Sequence, residues 1–271
     1  MHMTIKIRER LFSVFFALSL FLFGGAVAVV WFLGFDGLYQ VLPVWKLEAS
    51  PAAFYTVIVS AGVSGLFAVV VTGLVAFRSG KTVSVEIFFF TLWAFCQVFE
   101  LTKIGSLLLG TRLSNSLAYE LITRQALFGR YCAVIAIFAG SLFSAGLKQE
   151  RGIPVFMATM MVSLFFSSIH PLNSSVPGMD MLADRGLPWL AFSFEILMVA
   201  LALVNYMVAW RNSMERENLV SALCVFVCFG TSTLAKLSQS PLIAILAFAG
   251  LDRQSTRLNS SHGQLTRMQS S

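Results

Sequence analysis

Charged residues are scarce in this chain. Only 12% of its 271 residues are charged, whereas 57% are hydrophobic. A soluble domain of this length could not bury so much apolar surface, so the composition excludes an ordinary soluble fold. The net charge of +6 does not indicate a nucleic-acid partner, because the basic residues are scattered at the ends of apolar segments and do not gather on one face.

Cysteine and histidine are also few. Because the four cysteines lie inside apolar segments, they imply no disulfide framework; they are Cys96, Cys132, Cys224 and Cys228. The three histidines of the chain have no partner ligands at metal-binding spacing. We therefore expect no metal site and no cofactor.

Recognisable catalytic motifs are absent. The sequence contains no phosphate-binding loop, no dinucleotide-binding glycine motif, no zinc-protease motif and no nucleophile elbow. Its apolar segments contain no aspartate, and its prolines lie at segment ends or in loops. Enzymatic activity therefore has no local signature, and the broken helices typical of many transporters are not indicated.

What the sequence does contain is a repeated apolar pattern. About 20 apolar residues in a helix span the hydrocarbon of a bilayer. The pattern predicts an all-α, polytopic membrane helix bundle with seven complete spans and a truncated eighth, Pro241 to Leu251. The seven spans are Leu11 to Phe35, Ala53 to Phe77, Val83 to Leu109, Ala126 to Leu147, Ile153 to Ile169, Pro188 to Trp210 and Leu219 to Leu237.

The two ends of the chain each have two interpretations. Residues 1–251 form the predicted membrane domain, and the polar residues 252–271 resemble translated sequencing-adapter read-through, with a disordered cytoplasmic tail as the alternative. The first span has the basic start and apolar run of a signal peptide, but its apolar run continues long enough to favour a retained anchor.

Basic residues predict the orientation of the bundle. Lysines and arginines concentrate in alternate loops, which places those loops and the N-terminus in the cytoplasm. A bacterial inner membrane is the expected location. The residues that carry this bias are Lys6, Arg8, Arg10, Arg78, Lys81, Lys148, Arg151, Arg211 and Arg216.

A few polar residues inside the spans are the candidate site. Such groups are costly in a bilayer and usually face a bundle interior or a cavity. In the third span, Gln97 and Glu100 share a helix face, and Lys103 can pair with Glu100 at i,i+3. The predicted depths of the spans bring this group together with Arg130, Glu195, His170, Asn173 and Lys236 in the outer half of the bundle.

Two interpretations of this group remain open. The functional one is a polar cavity open to the outside, with Glu100, Arg130 and Glu195 as its charged core and an ion or small molecule as its ligand. The structural one is a set of ion pairs that hold helices together. His170 is either a proton-handling group or simply a helix-ending residue before Pro171.

Three functions fit the sequence. The first is a ligand-sensing or signal-input membrane module that precedes a cytoplasmic part, since the architecture resembles the multi-span input regions of bacterial sensors. The alternatives are a transporter or permease for an ion or small charged solute, and a membrane scaffold. Small residues four apart, such as Ser60 with Ser64, suggest close helix contacts within one bundle or across a homodimer.

Overall fold

The computed structural model describes residues 5–40, 51–78, 84–110, 117–177 and 182–213, together with Leu223 and Gly230. Its helices are α1 Ile5–Gln40, α2 Pro51–Arg78, α3 Val85–Cys96, α4 Thr102–Gly110, α5 Leu117–Ser144, α6 Gly152–Ile169 and α7 Pro188–Ser213. Short 3₁₀ segments cover Gln97–Leu101 and Gln149–Arg151, and two strands are β1 Leu172–Pro177 and β2 Ala183–Arg185.

Six helical segments of the described residues are long and apolar enough to cross a membrane. They correspond to the first six predicted spans, so the chain is predominantly helical and consistent with the predicted multi-pass membrane bundle. Apart from Leu223 and Gly230, the predicted seventh span with its Lys236 lies outside the described residues, and so do the piece from Pro241 to Leu251 and the tail 252–271. The six segments are Ile7–Gly34, Phe54–Arg78, Val85–Ser106, Leu117–Ser144, Gln149–Ile169 and Pro188–Asn212.

Helix α5 is the centre of the bundle. In its most apolar stretch 83% of the residues are buried, compared with 11% for α1. It packs against α3, α6 and α7, while α1 packs against α2. Small residues on α5, among them Ala133, Ala136 and Gly140, are buried in these contacts and allow the neighbouring backbones to approach closely.

Phenylalanine rings fill the core between α1, α3 and α5. Phe15 stacks on Phe95 at 4.8 Å between ring centroids, and Phe89 stacks on Phe143 at 5.5 Å. Offset and tilted aromatic pairs of this kind add stabilisation beyond their buried area. The rings therefore fix how α1 and α5 sit against α3.

The third span is broken, although the sequence predicted one continuous helix from Val83 to Leu109. Helix α3 ends at Cys96, a 3₁₀ segment follows, and α4 begins at Thr102. The hydroxyl of Thr102 donates to the carbonyl of Phe99 at 2.6 Å, within the tightened turn. A Cβ added to Gly129 would lie only 2.5 Å from the Cβ of Phe99, which is too close for two such atoms. Only glycine at this position therefore lets α5 approach the turn so closely.

The fourth span starts earlier than predicted. Helix α5 begins at Leu117, whereas hydropathy placed the start at Ala126. The extra turns carry Glu120 and Arg124, whose charges lowered the local hydropathy but pair with each other along the helix. Helix length was therefore underestimated where polar residues are used in packing.

A two-stranded antiparallel ribbon joins α6 to α7 and was not part of the all-helical prediction. Leu172 pairs with Arg185 and Asn173 with Asp184, and the register shifts before Pro177 pairs with Ala183. The backbone N–H of Ala183 donates to the hydroxyl of Thr123 on α5 at 3.1 Å. The ribbon is thereby attached to the first part of α5.

Candidate functional site

An ion cluster of three residues joins the broken third span to α5. The Nε of Arg130 donates to Glu100 Oε1 at 2.8 Å, and its second terminal nitrogen reaches Oε2 at 3.2 Å. The Nζ of Lys103 lies 2.7 Å from the same Oε2. None of these side chains is more than 7% exposed. One carboxylate thus contacts two cations among the described residues.

The 3₁₀ segment positions the carboxylate of this cluster. Glu100 is the fourth residue of Gln97–Leu101, and both Gln97 and Glu100 are buried. Lys103 follows in the first turn of α4, within i,i+3 reach of Glu100. The sequence prediction that Glu100 and Lys103 pair is confirmed, and the ion pair of Glu100 with Arg130 was one of its structural alternatives.

The cluster lies deeper in α5 than the sequence indicated. The predicted start at Ala126 put Arg130 about one turn from the outer end of its span. Because α5 begins at Leu117, Arg130 lies about 20 Å along the helix at 1.5 Å per residue. This correction places Arg130 near the middle of α5, while Glu100 and Lys103 lie in the last third of their own span.

A second polar group is centred on Tyr131, the residue after Arg130. Its hydroxyl lies 3.0 Å from Nδ1 of His170, and both residues are buried. The ring of Phe194 on α7 contacts Tyr131 at 5.5 Å between centroids. Sequence reasoning selected His170 but missed Tyr131. The usable signal was a tyrosine inside an apolar helix, since a buried tyrosine hydroxyl usually finds a partner.

His170 ends α6 and lies just beyond its membrane-spanning stretch. Its Nε2 atom is buried and has no hydrogen-bond partner among the described residues. Burial lowers the pKa of His170 from 6.5, and the positive charge of Arg124 lowers that pKa further. The imidazole is therefore held in its neutral form.

Arg124 holds the end of α6 against α5. Its guanidinium donates to the backbone carbonyls of Ser167 and Ser168, and it is paired with Glu120 one turn earlier on α5. The last carbonyls of a helix have no partners within that helix, and a nearby cation also complements the helix dipole. Arg124 was not among the site residues selected from the sequence.

Glu195 is separated from the ion cluster. It is half-buried on α7 next to Phe194, and it forms no ion pair in the part of the chain that the structure describes. Its charge acts electrostatically on Tyr131, which places it near the second polar group. The predicted charged core of Glu100, Arg130 and Glu195 is thus divided between two neighbouring groups on α5.

An apolar pocket of about 550 Å³ lies between α1, α2 and the broken span. Leu101 and Ile104, on either side of Lys103, form one wall of this pocket. Neither Glu100, Arg130 nor Glu195 lines it, so it is not the polar cavity that the sequence led us to expect. Its other lining residues are Phe23, Ala26, Val27, Val30, Trp31, Gly34, Ile58, Val59, Gly62, Val63 and Leu66.

The described residues contain no group of three or more histidine, cysteine or acidic side chains placed to hold a metal ion. The chain matches no protein-family model, and no curated protein matches it significantly. Any assignment of function therefore depends on the geometry above.

Proposed function

We propose that the chain is a signal-input module of a membrane, in which an apolar ligand or the bilayer itself acts on the broken third span. The observation that carries this proposal is the shared position of three features. The 3₁₀ segment, two members of the ion cluster and one wall of the apolar pocket all lie between Gln97 and Ile104. A 3₁₀ stretch inside a long helix often marks a hinge.

The pocket supplies a route from input to helix packing. A chain or ring inserted between α1 and α2 would press on Leu101 and Ile104, which flank the charges of Glu100 and Lys103. Glu100 anchors this turn to Arg130 on α5. The turn should therefore switch between a few distinct packing arrangements and should not deform continuously. A ligand that prefers one arrangement shifts the population towards it.

The proposal includes several features that the sequence predicts. The apolar character of Leu219–Leu237 supports a seventh span, and the apolar piece that follows it supports an eighth. In this proposal a cytoplasmic domain would respond to the change in helix packing. The scattered basic residues support a cytoplasmic N-terminus in a bacterial inner membrane. Small residues on the helices are compatible with a homodimer.

Tryptophan fluorescence tests the input role. Trp93 is buried one turn before the break, where its ring contacts Phe67 of α2 at 5.8 Å between centroids. In a variant that keeps Trp93 as the sole tryptophan, we expect its emission to shift between nanodiscs of short-chain and long-chain phosphatidylcholine. Filling the pocket with Gly62→Phe should abolish this shift.

The control is Gly24→Phe on α1. Neither glycine has an atom within 4 Å of an added Cβ, but only Gly62 lines the pocket. Gly24→Phe should therefore leave the emission shift intact. An unchanged Trp93 emission across lipids in the parent protein would contradict the input role, as would equal effects of the two substitutions.

A permease or a scaffold would give different results. The half-buried Glu195 on α7 favours the permease, which requires that Glu195→Gln abolish solute flux while expression stays intact. The pairing of Glu100 with both Lys103 and Arg130 favours the scaffold. In a scaffold, substitutions in the ion cluster should reduce the folded yield, and Trp93 emission should not change with the lipid.

A further inference from the structure

The junction of α6, the ribbon and α5 contains a buried histidine with one ring nitrogen satisfied and the other not. We propose that His170 is a proton-binding site, and that proton uptake there loosens the ribbon where it meets α5. The ligand of this site is the proton itself.

The hydrogen bonding of His170 suits a neutral ring. Its Nδ1 lies 3.0 Å from the Tyr131 hydroxyl, and in the tautomer that carries its hydrogen on Nε2 that hydroxyl donates to Nδ1. Its Nε2 is buried without a partner among the described residues. A second proton would remove the acceptor at Nδ1 and place a full charge in a site where the residue is only 3% exposed. A buried charge of this kind is strongly disfavoured unless it is paired.

Charged groups from each neighbouring element act on this site. Helix α5 contributes Arg124, which disfavours a second cation, and its partner Glu120; Arg130 on the same helix is paired with Glu100 in the ion cluster. Helix α7 contributes Glu195 beyond Tyr131. The ribbon contributes Asp184, which is exposed, and Arg185, which is half-buried.

Two of these influences favour the protonated ring. The dipole at the end of α6 attracts a cation, and so does the carboxylate of Glu195. Arg124 already occupies the carbonyls of Ser167 and Ser168, however, and Glu195 is separated from His170 by Tyr131. Burial and Arg124 therefore dominate, and the pKa of His170 is lowered.

The attachments beside His170 determine what its protonation would loosen. The carbonyl of Pro171 accepts from the N–H of Gly186, and the N–H of Ala183 donates to Thr123 on α5. An isolated two-stranded ribbon is marginally stable. The ribbon is also held by the buried Leu182 and Ala183 and by Leu172, which packs against Leu127 and Tyr131. Expulsion of a charged imidazole would therefore loosen the ribbon first at its start, next to Pro171.

This site is separate from the one in the proposed function. Proton uptake acts where α6 meets α5, whereas the apolar input acts on the break in the third span. A pH response confined to the ribbon would stand even if Trp93 failed to respond to lipid. The reverse combination of results is equally possible, so the two experiments fail independently.

Hydrogen exchange of the full chain in nanodiscs tests the proposal. Peptides that cover β1 and β2 are compared between the parent protein and His170→Gln at the same pH, so that intrinsic exchange rates cancel. Uptake of one proton changes an opening equilibrium by up to about tenfold per pH unit. We expect equal protection near neutral pH and about tenfold faster exchange in the parent protein near pH 5.

Two further variants make the result decisive. The double variant His2→Gln, His262→Gln removes the other two histidines and should respond to pH as the parent does. Tyr131→Phe removes the donor that favours the neutral ring, so its transition should move to higher pH. Its response would still test the site if His170→Gln failed to fold. A transition that persists in His170→Gln, that is absent in the parent, or that Tyr131→Phe leaves unmoved would overturn the proposal.

Discussion

At the scale of single residues, the ion cluster is governed by the cost of unpaired charge. Glu100 lies between Arg130 and Lys103, and all three side chains are removed from solvent. Taking charges out of water is expensive, so the pairing recovers a penalty and adds little net stability. The three charges are not equivalent, however, because one anion serves two cations.

This asymmetry predicts different effects of neutralising Glu100 and Lys103. Glu100→Gln removes the carboxylate that contacts both buried cations and should destabilise the fold by about 3–5 kcal/mol. Lys103→Met leaves the neutral pair of Glu100 with Arg130 and should cost less than about 1.5 kcal/mol, because the methionine stem fills similar space. Unfolding of both variants in detergent provides the measurement. Equal losses of stability would contradict the arrangement of charges.

Sequence spacing could predict part of this cluster. The pair of Glu100 and Lys103 follows from helical geometry, because residues three apart share a face. The contact of Glu100 with Arg130 depends on the register between two helices, and hydropathy misplaced the start of α5 by nine residues. Tyr131 was missed because its partner, His170, is 39 residues away in sequence.

At the scale of elements, hydropathy predicts the helices well but not where they end or break. The existence of six spans follows from apolar length alone. The break at Gln97–Leu101 does not, because no proline or glycine marks it. It is associated with a tertiary contact, the close approach of Phe99 to Gly129.

Arg124 provides a prediction at this scale. Arg124→Gln should leave the carbonyls of Ser167 and Ser168 without their charged donor, at a cost of about 1–3 kcal/mol. Glu120→Gln removes only a partly exposed pair within one helix, worth about 0.3–0.5 kcal/mol. Hydrogen exchange should show fraying of the last turn of α6 in the first variant alone. If Glu120→Gln frays that turn equally, Arg124 is not what holds it.

At the scale of the whole molecule, the six helices fix which segments share a side of the membrane. Because successive spans reverse direction, the turn between α5 and α6 lies on one side and the ribbon between α6 and α7 on the other. The basic residues Lys148 and Arg151 stand in that turn. The preference of such residues for the cytoplasm predicts that the ribbon, and with it His170, faces outward.

Cysteine labelling can test this orientation in intact cells, in a background that lacks the four native cysteines. Lys148 and Asp184 are both exposed, so Lys148→Cys and Asp184→Cys form a matched pair on opposite sides. A membrane-impermeant maleimide should label Asp184→Cys directly and Lys148→Cys only after permeabilisation. The opposite labelling pattern would show that the ribbon faces the cytoplasm. The proton-binding site would then sample a nearly constant cytoplasmic pH in place of the variable pH outside.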